Sequence, residues 1–285
     1  MKQPQAWAQH ARTAIASGRR PHFAPSEGIL AILRERVEAF VARRGAGCLA
    51  VILGATPELA DMALTAGCRV LRIDCNPAMF EAAAGRQTVA DRRNETAAIG
   101  DWLHLDMIAN GAADIVLGDS SLNNVPHAEM AQLLRELARI TRPGSLLCLR
   151  QIVLPDEAVP AYEFPAALAA WRGARIARDE FYRMLRFYSF AVGAYDADNR
   201  VLDARLVFAE IHRRHAAGDL TDAEHEFLVS RDSEIRHTVY PCAEQRRLLE
   251  ALGACEVVSP KFAGGRCDLF KVFVIKVGEA AAAGP

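Results

Sequence analysis

Residues Cys48–Asn76, CLAVILGATPELADMALTAGCRVLRIDCN, decide the fold class of this 285-residue chain. Leu49–Leu53 is an unbroken apolar run, which is typical of a parallel strand covered by helices on both faces. Gly54 follows it, and Thr56–Glu58 then has the composition of a helix start, with a hydroxyl N-cap and a proline at the first helical position. The stretch therefore begins with a predicted strand, a tight turn and a helix.

A second strand and an acid complete this unit. Arg69–Ile73 is again mostly apolar, and Asp74 closes it. An acid about 20 residues beyond such a glycine turn binds a ribose hydroxyl in nucleotide-binding α/β units. We therefore expect a nucleoside-containing cofactor to lie across Gly54, with its ribose on Asp74.

Further strands and helices alternate along the chain. The predicted strands three to seven are Glu95–Ile99, Ala113–Leu117, Leu146–Val153, Glu256–Ser259 and Leu269–Val277. The predicted helices between them are Pro77–Ala84, Glu129–Ile140 and Ala243–Leu252. This alternation predicts an α/β fold with a doubly wound, seven-stranded sheet that ends in an antiparallel hairpin.

Two segments depart from the alternation. Residues 1–45 are predicted to form an N-terminal helical segment, and residues 155–241 a helical insertion after strand five that contains no strand. The predicted helices of the insertion include Glu180–Phe190 and Leu202–His215. Residues 46–154 and 242–278 then form the cofactor-binding core. All five tyrosines fall in the insertion, which favours a lid or substrate pocket, although packing between helices explains them equally well.

The composition excludes several classes of function. The net charge is −1 and no basic patch is interleaved with aromatics, so nucleic acid is not an expected partner. No apolar run has the length of a membrane span, and the N-terminus lacks the apolar core of a signal peptide. The seven cysteines include no CxxC pair, which argues against a metal site and for a reducing compartment. We expect a cytoplasmic enzyme that acts on a small molecule, with a homodimer as one option for its assembly.

Five separated motifs resemble the class I S-adenosylmethionine-dependent methyltransferases, over residues 48–153 and 243–277. They are the Gly54 turn, Asp74 followed by Met79, the loop Gly100–Trp102, the strand Asp114–Asp119, and the turn Arg142–Ser145 before strand five. The resemblance implies S-adenosylmethionine as cofactor, with Asp74 on the ribose, Asp101 at the adenine amino group and Trp102 along the adenine ring. The predicted cofactor-binding residues are Gly54, Ala55, Thr56, Asp74, Cys75, Met79, Gly100, Asp101, Trp102 and Asp119.

The first motif departs from the pattern of this family. Ile52 stands where the family usually has an acid, and Ala55–Glu58 replaces most of the later glycines. Pro57 has no backbone N–H to donate, so the methionine end of the cofactor must be held differently. We expect the backbone of Gly54 and Ala55, and the side chain of Thr56 or Glu58, to contribute.

Methyl transfer is an in-line displacement that needs alignment and exclusion of water, with a general base only for some acceptors. Asp119, Asn123 and His127 follow strand four, where the family binds its acceptor, and they are predicted catalytic residues. For Asp119 the alternative is a turn cap, and for His127 it is a helix start. Tyr162 and Tyr182 are predicted to face the sulfonium through cation–π attraction, with helix packing as the alternative.

Several functions fit these features. The leading hypothesis is a small-molecule methyltransferase. A second is an enzyme of the same fold that cyclises or cleaves S-adenosylmethionine, similar to azetidine-2-carboxylate synthases, for which Asn123 and Asn124 near the methionine end would be suitable. A nicotinamide-dependent Rossmann enzyme is disfavoured because G-x-G-x-x-G is missing. A non-catalytic partner subunit is disfavoured because Asp74 and Asp101 are both present.

Overall fold

The computed structural model describes residues 24–156, 164–177, 181–182, 185, 193–229, 235–260 and 269–278. Over these residues the chain has the predicted α/β architecture, a mainly parallel central sheet between layers of helices. Among the described residues, no helix is both long enough and apolar enough to cross a membrane.

The central sheet has the predicted doubly wound topology. The strands of the described residues are β1 (Leu49–Leu53), β2 (Arg69–Asp74), β3 (Glu95–Ile99), β4 (Ala113–Asp119), β5 (Thr141–Leu154), β6 (Tyr195–Asp196), β7 (Val201–Asp203), β8 (Arg236–Thr238), β9 (Tyr240–Pro241), β10 (Gly253–Val258) and β11 (Phe270–Val277). In the central sheet the strand order is β10-β11-β5-β4-β1-β2-β3, and β11 runs antiparallel to both of its neighbours. A short eighth strand that the sequence did not indicate, β9, pairs with the end of β5.

Helices cover both faces of the sheet, which explains the unbroken apolar run of β1. The described helices are α1 (Glu27–Arg44), α2 (Pro57–Thr65), α3 (Pro77–Ala84), α4 (Met130–Ile140), α5 (Phe164–Arg172), α6 (Ala204–Ala216), α7 (Asp222–Val229) and α8 (Cys242–Glu250). Val51 and Leu53 belong to the apolar cluster that includes α4 and α8, whereas Ala50 and Ile52 belong to the cluster with α1 and α2. Alternate residues of one strand thus fill two separate cores.

The helices that border the predicted site begin in two different ways. The side chain of Asn76 accepts a hydrogen bond of 3.1 Å from the N–H of Ala78 and caps α3. Thr56 occupies the N-cap of α2 as predicted, but its hydroxyl makes no capping bond. Pro57 is the first residue of α2, so this helix start has one N–H fewer than usual.

The insertion differs from the prediction of helices alone. β6, β7 and β8 form a three-stranded antiparallel sheet within it. The predicted helix Leu202–His215 begins only at Ala204, because Leu202 lies in β7 and the side chain of Asp203 accepts from the N–H of Arg205 at 3.0 Å. Strands of two or three residues are too short to display alternation. The predicted helix Glu180–Phe190 lies largely outside the described residues.

Strand β5 begins five residues earlier than predicted. The register with β4 jumps from Ala113–Thr141 to Ile115–Leu146, so the predicted Arg142–Ser145 turn is an irregularity within the strand pair. Ser145 fastens it, because its Oγ accepts from the N–H of Arg142 at 3.1 Å and donates to the carbonyl of Ala113 at 2.8 Å. A bulge of this kind is invisible to a search for turn residues.

Strand β10 also begins earlier than the predicted Glu256. Its first residue is Gly253, which has φ +153° and pairs with Val277. A Cβ at this position would lie 2.1 Å from the carbonyl oxygen of Lys276. Gly253, which follows the predicted helix Ala243–Leu252, therefore lies where two backbone segments approach too closely for any side chain.

We expect Gly253→Ala to lower the free energy of unfolding by roughly 2–4 kcal/mol, through backbone strain and a steric clash. Gly85→Ala is the matched control, because Gly85 has ordinary dihedral angles and its Cβ would meet no atom within 4 Å. Urea unfolding followed by circular dichroism measures both variants. Equal stability of the two variants would contradict this account of β10.

Candidate functional site

The turn after β1 lies at the carboxyl ends of the parallel strands, beside the β1–β4 boundary where the strand order reverses and open α/β sheets bind ligands. Gly54 has φ +120°, a conformation that favours glycine. A Cβ built there would lie 3.8 Å from Trp102 Cζ2 and 3.9 Å from Asp74 Oδ2. The predicted turn, ribose acid and adenine loop therefore meet around Gly54.

Asp74 is a buried acid held by backbone groups. Its carboxylate accepts a 2.9 Å hydrogen bond from the N–H of Asn76. Burial raises the pKa of Asp74 to about 6, although the backbone N–H groups of Asn76 and Ala55 favour the charged form and partly oppose the shift. Since a carboxylate has about four acceptor positions, two hydroxyl groups of a ligand can still bind to it.

The adenine loop is tied to the turn through one carbonyl group. Trp102 Nε1 donates to the carbonyl oxygen of Ile73 at 2.7 Å, and the N–H of Gly54 donates to the same oxygen at 2.8 Å. Asp101 is exposed, with one carboxylate oxygen accepting from the N–H of Leu103 at 2.9 Å. The loop thus presents an acid and an aromatic ring beside Gly54, as an adenine site requires.

The remaining predicted cofactor-binding residues lie at the start of the adenine loop and next to the turn. A Cβ at Gly100 would lie 2.7 Å from Met107 Cε and 3.1 Å from Ile73 Cγ2, so a side chain there would have to displace the flexible, exposed Met107 side chain. Cys75 is exposed and Met79 is half-buried in the first turn of α3. These two predicted cofactor-binding residues border the turn, and their contacts with a ligand stay a prediction.

A buried ion pair stands at the carboxyl end of β4. Asp119 is paired with Arg150 of β5, and their side chains are 9% and 4% exposed. Burial raises the pKa of Asp119, while the adjacent Arg150 opposes that shift. The guanidinium of Arg150 lies 4.0 Å from the centre of the Phe270 ring. Asp119 is therefore a fixed, charge-paired anchor, and sequence reasoning missed its partner.

The loop after β4 approaches the cofactor turn. Ser121 Oγ donates to the carbonyl oxygen of Leu53 at 2.6 Å, which joins this loop to the end of β1. Ser120 has φ +55°, the left-handed conformation that is uncommon for a residue with a side chain. The end of β4 is thus held directly beside the turn.

Asn123 fastens the insertion to the core. Its side-chain nitrogen donates to the carbonyl oxygens of Ile152 at 2.9 Å and Thr238 at 2.7 Å, and its side-chain oxygen accepts from the N–H of Ile152 at 2.9 Å. The residue is fully buried. Its amide is engaged with backbone groups of β5 and β8, so the structure gives Asn123 a structural role where we predicted a catalytic one.

His127 is exposed and points one nitrogen at a buried phenol. Its Nδ1 lies 2.8 Å from the hydroxyl of Tyr240, whose pKa burial raises to about 12. The phenol therefore keeps its proton at neutral pH and helps to orient the imidazole. In the tautomer in which Nδ1–H donates to the phenol oxygen, Nε2 has a lone pair and can act as a general base.

Tyr182 lies in the apolar core of the insertion. It is 2% exposed, and its ring meets Phe227 edge-on at 6.3 Å. This contact supports the packing alternative, and a place against the sulfonium stays a prediction. Tyr162 lies outside the described residues. Within the described part of the chain, no group of three or more His, Cys, Asp or Glu side chains is arranged to hold a metal ion.

The comparisons with known proteins agree with this geometry. Residues 52–149 match a family model described as "Methyltransferase domain". No curated protein matches the sequence significantly. A structure from Rhodobacter sphaeroides, named as a candidate Zn-dependent alcohol dehydrogenase, is similar at 16% identity with a TM-score of 0.58, covering 97% of this chain and 100% of that one. At this identity the similarity concerns the fold alone.

A SAM-dependent methyltransferase structure from Methanosarcina mazei is similar at 15% identity, with a TM-score of 0.48, over 82% of this chain and 93% of that one. The matched domain contains the turn, the acid and the aromatic loop found around Gly54. The chemistry of these residues fits an adenosyl group, since an acid that can accept from ribose hydroxyls and an indole that can lie along a purine both border Gly54. Residues 52–149 are thus similar to a methyltransferase domain, which is consistent with a class I S-adenosylmethionine-dependent methyltransferase that uses S-adenosylmethionine as its cofactor.

Proposed function

We propose that the protein methylates a small molecule that binds under the insertion at the ends of β4 and β5. The supporting observation is the attachment of the insertion through Asn123, which bonds to β5 and to Thr238. Pairing of Val153 with Tyr240 adds a second attachment. An acceptor site covered in this way admits a small molecule more readily than a macromolecule. A cytoplasmic location and a homodimer stay predictions from the sequence.

S-Adenosylmethionine, when bound, supplies an electrophilic methyl group on a sulfonium. In this proposal Asp74 holds the ribose, and Trp102 lies along the adenine. The Asp119–Arg150 pair anchors the acceptor side, and Nε2 of His127 receives a proton if the acceptor is a hydroxyl. Alignment and exclusion of water then account for most of the rate.

A second candidate function is cyclisation or cleavage of the cofactor without an acceptor. The buried Asp119–Arg150 pair favours it, because this pair occupies the end of β4, where the family binds its acceptor. The engagement of Asn123 with backbone groups counts against its predicted part in this reaction.

Mass spectrometry of the products separates the two candidates. The protein is incubated with S-adenosylmethionine alone and with a panel of small hydroxyl, amine and carbon acceptors. Adenosylhomocysteine that forms only with an acceptor supports methyl transfer. Methylthioadenosine that forms without one would replace this proposal by cyclisation or cleavage, and absence of cofactor binding would contradict both.

The role of Asp74 predicts the effect of Asp74→Asn on binding. We expect the dissociation constant for adenosylhomocysteine to rise roughly 10- to 100-fold, since hydrogen bonds to a charged group are lost. Isothermal titration calorimetry measures this change. Asp91→Asn is the matched control, because Asp91 is an exposed acid whose partner among the described residues is Arg93. Equal affinity of the wild type and Asp74→Asn would contradict a ribose contact.

The raised pKa of Asp74 predicts that binding depends on pH. The ionised carboxylate accepts from the ribose hydroxyls, so affinity falls as pH drops through about 6, where Asp74 takes up a proton. Titrations between pH 5 and 8 measure this. In Asp74→Asn the pH dependence in this range should disappear, and a fall that persists in the variant would assign it to another group.

The same shift predicts that Asp74 destabilises the protein without cofactor above pH 6. Its pKa is higher in the folded state than its ordinary 3.8, so the folded state loses stability as pH rises from about 4 to about 6. We expect Asp74→Asn to raise the free energy of unfolding at pH 8 by about 1–2 kcal/mol and to leave it unchanged at pH 4. Denaturant unfolding at both pH values measures this, and a loss of stability at pH 8 would contradict it.

A further inference from the structure

We propose that Arg86 binds the carboxylate at the methionine end of the cofactor, in place of the backbone N–H that Pro57 lacks. The inference rests on the proposed function, because S-adenosylmethionine or adenosylhomocysteine is the ligand. It answers the question that the unusual first motif raises, since the chain must neutralise this carboxylate with a group other than a glycine-rich loop.

Arg86 is fixed close to the cofactor turn by an ion pair. Its Nη2 donates to both carboxylate oxygens of Glu58, at 2.6 and 2.8 Å. Glu58 is the second residue of α2, directly behind the turn, and Arg86 follows the last residues of α3. The Arg86 side chain is 25% exposed and the Glu58 side chain is 16% exposed. They are thus partly shielded from water but still accessible to a ligand.

This ion pair is close enough to act on the acid at the end of β4. Glu58 raises the pKa of Asp119 and Arg86 lowers it, after the larger effects of burial and Arg150. Ile115 and Leu117 of β4 pack in the same cluster as α2. Asp119 continues that side of the strand, since side chains alternate along it. Asp119 and the Glu58–Arg86 pair therefore border one space above the start of α2.

A cofactor with its ribose on Asp74 directs its amino acid portion towards this space. The path leads from the end of β2, across Gly54 at the end of β1, to β4, because these three strands are neighbours in that order. The amino acid portion carries one carboxylate and one ammonium group at neutral pH. A site with cationic and anionic side chains, Arg86 beside Glu58 and Asp119, is complementary to both.

The Arg86 guanidinium has N–H groups, beyond those bonded to Glu58, that can donate to the carboxylate of the cofactor. A guanidinium has five N–H groups, and both bonds to Glu58 use Nη2. Its Nε and Nη1 make no hydrogen bond to any of the described residues. Glu58 can therefore continue to orient the guanidinium while Nε and Nη1 bind the ligand, and partial burial strengthens such a charge-assisted bond.

The competing explanation is that Glu58 and Arg86 only join α2 to α3. A comparison of two ligands distinguishes the explanations. Calorimetry measures binding of adenosylhomocysteine and of S-adenosyl-3-thiopropylamine, which is adenosylhomocysteine without the carboxyl group. Both are titrated into the wild type, Arg86→Met, and the control Arg93→Met, whose arginine is 87% exposed and pairs with Asp91.

We expect Arg86→Met to weaken adenosylhomocysteine about 10- to 100-fold and to change binding of the decarboxylated ligand by less than about 2-fold. Arg93→Met should leave both affinities unchanged, and Arg86→Lys should restore part of the loss. Equal losses for both ligands would mean that Arg86 only supports the turn, and unchanged binding of adenosylhomocysteine would also overturn the proposal.

Failure of the cofactor assignment, on which this inference rests, gives a different result, because the wild type itself would then bind neither ligand. Removing Arg86 leaves Glu58 without this partner, so Glu58→Gln/Arg86→Met is made alongside and removes both charges. If the single variant does not fold, the same pair of ligands is compared in the double variant, with Glu58→Gln alone as its reference.

Discussion

The carbonyl oxygen of Ile73 accepts two hydrogen bonds, from the N–H of Gly54 and from the indole of Trp102. This shared acceptor joins the end of β2, the turn after β1 and the adenine loop after β3. Gly54 has φ +120°, a conformation that favours glycine, and this conformation directs its N–H to the Ile73 carbonyl. The three parts of the cofactor site are therefore positioned relative to one another by a single peptide group.

Two acids at the strand ends occupy different electrostatic environments. Asp74 is buried with backbone N–H groups as partners, so its pKa rises to about 6 and the folding of the ligand-free protein is penalised. Asp119 is buried with Arg150 directly against it. Among the described residues, an arginine is ion-paired with Asp119 and none is ion-paired with Asp74. The two acids therefore differ in electrostatic environment, which is the basis for proposing a ribose contact for Asp74 and an anchoring role for Asp119.

The regular part of the fold was predictable from local patterns. Leu49–Leu53 is apolar throughout because its residues face two helical layers, and Asn76 caps α3 where the sequence places it. The insertion was less predictable, since β6 to β8 contain two or three residues each. Tertiary contacts were the least predictable. Arg150 and Asp119 are 31 residues apart, and the only sequence signal was a charge inside an apolar strand.

A crystal structure of the protein with adenosylhomocysteine is the most direct test of the central claim, that Gly54 and Asp74 hold the nucleoside of the cofactor. The account predicts that both ribose hydroxyls lie within hydrogen-bond distance of the Asp74 carboxylate, with the adenine along Trp102. A ribose bound away from the Asp74 carboxylate would contradict it.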